Sequence, residues 1–219
     1  MRLGFADLAA ADRFDICVVG SGPAGMTCAR ELARTGAKVA LVEGGDTEWT
    51  DWSQDLYAGE VVGDPFFDLD SARLRFFGRS SGQWAGWCRT FDAHDFEAKG
   101  AFDLTAWPIG KSDIDPYLEP ACADLEIPAR FEDRPIADSG FRWIEFQHSP
   151  PVLYGDKYAD EVFGSPNIHL FLNTNAESFE TNGRAITGLH VLSANREAKT
   201  LRARVFVLAA GGIENSRIL

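Results

Sequence analysis

Residues 14–43 read FDICVVGSGPAGMTCARELARTGAKVALVE, and the order of residue types along this stretch decides the fold. Phe14 to Val19 is a short apolar run of β-formers that passes straight into Gly20-Ser21-Gly22-Pro23-Ala24-Gly25, so a Gly-x-Gly-x-x-Gly turn follows a strand. From Pro23 to Thr35 the pattern turns helical. Met26, Ala29, Leu32 and Ala33 place small or apolar groups toward a sheet, Arg30 and Arg34 point outward, and Gly36 closes the helix. Lys38 to Val42 is a second buried strand, ending at Glu43, 18 positions beyond Gly25. Strand, glycine turn, helix, strand and terminal acid complete a βαβ unit of the dinucleotide-binding type.

Each residue type has a task. Gly20 permits the tight turn, Gly22 lets a diphosphate approach the backbone, and Gly25 lets helix and strand pack closely. Pro23 suits the first helical turn because its missing N–H is not needed there, and the free amides around it face an anion. The helix N-terminus favours that charge by up to about 2 kcal/mol. Glu43 offers acceptors to both ribose hydroxyls and repels a 2′-phosphate, which leaves FAD or NAD. A glycine turn before a helix also occurs in proteins that bind no nucleotide, but here three parts of the pattern agree.

The 219 residues suffice for one large domain or two small ones, and 45% hydrophobic with 25% charged residues is an ordinary globular composition. With 21 basic against 33 acidic residues the formal charge is -12, and the basic residues are scattered, which argues against a nucleic-acid partner. No apolar run is long enough to cross a bilayer and no basic-then-apolar leader opens the chain, so a cytoplasmic protein without a membrane partner is expected. Cys17, Cys28, Cys88 and Cys122 form no Cys-x-x-Cys pair and read as reduced thiols. His94, His148, His169 and His190 lack metal-ligand spacing, so they read as surface or packing residues and no metal site is expected.

Residues 74–90, LRFFGRSSGQWAGWCRT, mix glycines, small hydroxyls and two tryptophans in a way that suits neither helix nor regular strand. Gly78, Gly82 and Gly86 permit unusual backbone angles, Ser80 and Ser81 can donate to phosphate oxygens or ring nitrogens, and Trp84 offers a flat apolar face. Two readings are open: a loop that wraps a flavin, and a compact surface loop whose tryptophan plugs the core.

At this point the sequence resembles the glucose-methanol-choline flavin oxidoreductases, especially the branch of pyranose oxidases and bacterial sugar and polyol dehydrogenases. Three segments carry the likeness: GRSSGQWAGWCR at 78–89, the Trp-Pro pair at 107–108 leading to Pro116-Tyr117, and VFVLAAGGIENSRIL at 205–219. The resemblance runs from Phe14 to Leu219. It implies FAD held by Gly20, Ser21, Gly22, Pro23, Ala24, Gly25, Glu43 and Gly44, with Arg79, Ser80, Ser81, Gln83, Trp84 and Gly86 toward the isoalloxazine. Ala176 would meet the adenine through its backbone, and Ala210, Gly211 and Gly212 would lie close to the cofactor. Some members attach the flavin through a histidine at the position of Gln83; an amide makes no such bond, so non-covalent FAD is expected.

The expected architecture is therefore α/β: a Rossmann-like FAD-binding domain over 14–219 after an extension at 1–13, with an inserted β-meander and a helical support segment. Residues 91–165 are expected to contribute helices and loops toward the substrate side. Lys111 to Ile114 starts a helix that resumes at Tyr117, and Trp107 and Tyr117 read as packing anchors. From Asn167 the pattern is extended, with strands at 168–172, 177–181, 186–192 and 201–208 and an Asn182-Gly183 hairpin turn. Glu214 reads as a helix cap rather than a cofactor neighbour. Ile213, Ile218 and Leu219 should face a core, at about 1.5–3 kcal/mol each.

The resemblance implies oxidation of an alcohol or sugar, a small-molecule substrate, with a base supplied by a region absent from these residues. No catalytic residue is assigned; a second chain or a further C-terminal segment would complete the enzyme. A truncated flavin-binding module and an NAD-dependent dehydrogenase are the alternatives.

Overall fold

A computed structural model describes every residue except Asp103 and Pro151, and every side chain except those two and Arg79 and Phe102. The chain divides into two units, residues 1–83 with 153–219, and residues 84–152.

The first unit is built on a five-stranded parallel sheet. Its strands are β1 (Arg2–Gly4), β2 (Phe14–Val19), β3 (Val39–Val42), β4 (Ile168–Leu172) and β8 (Ala203–Leu208), in the order β1-β4-β3-β2-β8. Every neighbouring pair is parallel, and the register aligns Val19 with both Val42 and Leu208. All four side chains of β3 are buried, as a central strand covered on both faces requires. The α/β reading of the sequence is what the structure shows.

Helix α1 (Pro23–Arg34) packs Gly25, Met26, Ala29 and Ala33 inward as the 3.6-residue period dictates, and Gly36 follows it with φ of 89°. Arg30, however, is buried rather than outward. Its Nε donates to Glu161 Oε2 at 2.7 Å, and its guanidinium stacks 3.6 Å from the Tyr158 ring centroid. The reason is a second packing partner: helix α3 (Tyr154–Gly164) lies against α1, which the local pattern of α1 does not announce.

An antiparallel sheet of β5 (Asn175–Thr181), β6 (Ile186–Leu192) and β7 (Ala198–Leu201), in the order β7-β6-β5, forms the meander. The Asn182-Gly183 turn is present as a loop over 182–185, with Asn182 Oδ1 accepting from the amides of Arg184 and Ala185 at 3.0 and 2.9 Å. The extended run expected over 201–208 is broken at Arg202 into β7 and β8, which serve different sheets. Leu189, Val191 and Leu201 join Cys17, Val19, Val42 and Phe171 in one core. Helix α4 (Gly212–Ile218) buries Ile218, whereas Ile213 is 43% and Leu219 88% exposed, so one of the three expected core side chains is buried.

The second unit carries helices at Lys111–Ile114 and Leu118–Asp124 joined by a 3-10 turn at Asp115–Tyr117, with Trp87–Cys88 paired to Gln147–His148 and Arg134–Pro135 to Arg142–Trp143. Its core gathers Cys88, Cys122 and Ile127, with Trp84, Leu118, Leu125 and Phe131 packed on it. Arg89 ties it together, forking onto both oxygens of Asp133 at 2.9 and 2.8 Å. Trp107 and Tyr117 do not anchor this core; they are 64% and 69% exposed, because so small a cluster does not extend to the turns that carry them.

Candidate cofactor site

A cavity of about 790 Å³ opens at the carboxyl ends of β2, β3 and β8, where Val19, Val42 and Leu208 reach it. In open parallel sheets this is the crevice where ligands bind, and the volume suits a large one. Of the residues singled out in the sequence, Gly20, Ser21, Gly22, Pro23, Ala24, Glu43, Gly44, Ser80, Ala176, Ala210, Gly211 and Gly212 line it.

The glycine turn has the shape its residue types require. Gly20 adopts φ of 101°, and its N–H donates to Val42 O at 2.8 Å, which turns the chain off the sheet. A Cβ at Gly25 would overlap the carbonyl oxygen of Gly20, so helix and turn meet there without room for a side chain. Gly25 is thus beneath the cavity, not in its lining. Gly22 differs: a Cβ there would find no protein atom nearer than Ser80 Oγ at 3.8 Å, and the space it would fill is the cavity itself. Gly22 caps α1 with no side-chain hydrogen bond and Pro23 occupies the first turn, so the opening amides of the helix remain for an anion. A diphosphate fits this cradle.

Glu43 is buried, and its carboxylate is already engaged. Oε2 accepts from Ser21 N at 3.3 Å and Ser21 Oγ at 2.6 Å, and Oε1 accepts from Gly45 N at 2.8 Å. Ser21 Oγ in turn accepts from Gly78 N at 3.2 Å. A carboxylate has about four acceptor positions, so roughly one is left for a ribose hydroxyl. The acid therefore also braces the glycine turn, a task the spacing alone does not reveal.

The loop residues separate. Ser80 lines the cavity, but the buried Ser81 turns its hydroxyl to Gly78 O at 2.7 Å and accepts from Tyr154 N at 3.0 Å, because it is needed to join the loop to α3. Gln83 is outside the lining, its amide donating to Ser71 O at 3.4 Å. Trp84 and Gly86 belong to the second unit, where Trp84 packs on the Cys88 core and Gly86 O accepts from Ser149 N at 2.7 Å. The Arg79 side chain falls outside the described residues.

Sequence reading missed most of a charged wall of the same cavity, Tyr57, Arg73, Arg75 and Arg217, which Glu214, read as a helix cap, completes. Glu214 stands in the first turn of α4, but its carboxylate receives Arg73 Nη1 at 3.2 Å and Arg217 Nε at 2.8 Å and serves as an ion-pair hub. Arg217 also donates to the carbonyls of Ala176 and Glu177, at 3.0 and 3.3 Å. Arg73 stacks 3.8 Å from the Tyr57 ring centroid. Burial pushes the Glu214 carboxyl up, but Arg217 and Arg73 outweigh it and leave the group below the usual glutamate range. Burial, then the charge of Glu43, raises the Tyr57 phenol. The one sequence signal for this wall was a pair of arginines, Arg73 and Arg75, just ahead of the glycine-rich loop.

Among the described residues no group of three or more His, Cys, Asp or Glu side chains is placed to hold a metal, and no helix is long and apolar enough to cross a membrane. Burial pushes the four free thiols of Cys17, Cys28, Cys88 and Cys122 up, away from reactive thiolate.

The fold is shared with solved structures. An FAD-dependent oxidoreductase from Chaetomium thermophilum superposes with a TM-score of 0.61 at 18% identity, covering 94% of this chain and 47% of that one. Pyridoxine 4-oxidase from Mesorbium loti superposes with a TM-score of 0.56 at 17% identity, covering 92% of this chain and 50% of the other. The chain thus spans about half the length of these structures. No curated protein matches the sequence. The family model described as FAD dependent oxidoreductase matches residues 15–216, nearly the whole chain, and the chain belongs to that family.

Proposed function

We propose that this chain is the FAD-binding portion of a glucose-methanol-choline-type oxidoreductase, acting on a CH–OH group of a sugar, polyol or other alcohol. The observation that carries the reading is the cavity at the carboxyl ends of the sheet, floored by a glycine turn whose only room for a Cβ, at Gly22, is the cavity itself. The glycine and tryptophan loop at 78–89 and the Trp-Pro segment at 107–108 support the finer assignment through their resemblance to that family. The family's cofactor removes the NAD-dependent alternative.

The chain's own residues have separable roles in this reading. The Gly20–Gly25 turn and the start of α1 hold the diphosphate, Glu43 fixes the turn and offers its remaining acceptor position to the ribose, and Ala176, Ala210, Gly211 and Gly212 border the cofactor. When bound, FAD supplies the hydride acceptor for the alcohol carbon. A general base for the hydroxyl proton comes from a further polypeptide segment or a second chain that completes the enzyme. The flavin is held without a covalent bond, since Gln83 stands where a histidine would be needed.

The test is spectroscopic. Purified chain is expected to be yellow, to release its flavin into the supernatant on acid precipitation, and to gain about 2.7 kcal/mol of stability when free FAD is a hundredfold above its Kd. Flavin left in the acid pellet would refute non-covalent binding. Bleaching of the flavin by alcohols or sugars, once the completing polypeptide is added, supports the oxidoreductase reading. Bound FAD with no bleaching by any CH–OH donor in that assembly identifies a flavin-binding module instead.

A further inference from the structure

We infer that Arg75 determines specificity for the adenosine end of the cofactor, donating from a pre-fixed guanidinium edge to acceptor atoms of the nucleoside; the inference rests on the cavity being the FAD site. Three placements lead there. The guanidinium lies directly over Gly44, where a Cβ would overlap its nitrogens, and Gly44 follows Glu43, the acid at the ribose position. Nη2 donates to Asn175 Oδ1 at 2.7 Å, and Asn175 precedes Ala176, the residue expected beside the adenine. Arg75, Gly44 and Ala176 all line the one cavity.

The guanidinium is held rather than free. Nη1 donates to Ser53 Oγ at 3.1 Å, and Ser53 Oγ donates to Arg75 O at 3.0 Å, so the short helix α2 (Asp51–Asp55) grips both ends of the residue. Gln54 Oε1 accepts from Arg75 N at 3.0 Å, and Asn175 Nδ2 is fixed on Leu192 O at 3.1 Å. The Tyr57 ring stands 5.4 Å from the guanidinium carbon. Of five N–H donors in a planar fork, these bonds use two, and among the described residues the others have no hydrogen-bond partner. An arginine pinned in this way loses little further freedom when a ligand arrives, so its unused edge contributes selectively to a nucleoside with fixed acceptors. A bare diphosphate seats at the glycine turn and the start of α1 and lacks the nucleoside acceptors that this edge would meet.

Calorimetric titration of flavin-free chain with ADP and with inorganic pyrophosphate tests this, comparing wild type with Arg75→Gln and Arg75→Lys. Both variants are expected to lose about tenfold in ADP affinity, the worth of a hydrogen bond from a charged donor, and to keep pyrophosphate affinity within about twofold. Equal ADP affinity in wild type and both variants overturns the inference. So does a parallel loss of ADP and pyrophosphate in Arg75→Gln with recovery in Arg75→Lys, since that marks a general charge effect. Should Arg75→Gln fail to fold, by its melting curve, Arg75→Lys alone decides through its ADP-to-pyrophosphate ratio. ADP failing to bind wild-type chain overturns the cavity assignment itself, a result distinct from an unchanged variant.

Discussion

Ser21 Oγ lies 2.6 Å from Glu43 Oε2, joining the second residue of the glycine turn to the acid that follows β3. The same hydroxyl accepts from Gly78 N, so three segments of the chain meet on one serine buried away from solvent.

Ser21→Ala should therefore cost more than one hydrogen bond. It leaves Gly78 N without its acceptor and Glu43 with one donor fewer, and an unsatisfied buried donor costs about 1–3 kcal/mol. Chemical denaturation of the variant should show a loss in that range, with FAD affinity falling as the turn loosens. A variant as stable as wild type would show that Glu43 and Gly78 are satisfied another way.

Gly22 and Gly25 sit three positions apart and should behave in opposite ways. Gly25→Ala drives a methyl group into the Gly20 carbonyl and should lower the unfolding free energy by several kcal/mol, as overpacking against backbone does. Gly22→Ala meets no protein atom within 3.8 Å and keeps an extended backbone, so its fold should survive while its methyl occupies the diphosphate position. Denaturation curves together with FAD titration separate the two: stability lost in one, flavin binding lost in the other.

Glu214 predicts a pH dependence. Although burial acts against the charged form, its bonds to Arg217 and Arg73 hold its folded pKa below the ordinary glutamate value of 4.5. A depressed carboxyl contributes stability that is present above its unfolded value and is lost as pH falls through the folded one. Glu214→Gln should thus be less stable than wild type at neutral pH, by about 1–3 kcal/mol for charge-assisted bonds, and the gap should close below pH 4.5. Urea denaturation at both pH values checks it. A gap that persists unchanged in acid would mean that packing, not charge, is what the glutamate provides.

Much of the cofactor turn was legible in the sequence, because its demands are local. A strand, a tight turn and a helix start are specified by neighbouring residues: Gly20 needs its positive φ for the turn and Gly25 must clear the Gly20 carbonyl five positions away, although the Ala209 backbone that also crowds Gly20 comes from far along the chain. The charged wall was not legible. Arg75 meets Asn175 across 100 positions and Arg73 meets Glu214 across 141, and only the order of strands in the sheet brings those segments together. Arg30 shows the same limit within one helix: its local period places it on the outer face, yet α3 covers that face and supplies Glu161 and Tyr158.

The sequence by itself determined that residues 14–43 form a βαβ unit and that its turn leaves the backbone at Gly22 uncovered, since backbone sterics and hydrophobic period act over a few residues. Only the tertiary structure decided which side chains surround the rest of the cavity, that Glu43 spends most of its acceptor capacity on Ser21 and Gly45, and that Glu214 is shared by two arginines. Those outcomes depend on burial and hydrogen-bond competition among groups distant along the chain, which become definite once the strands are paired.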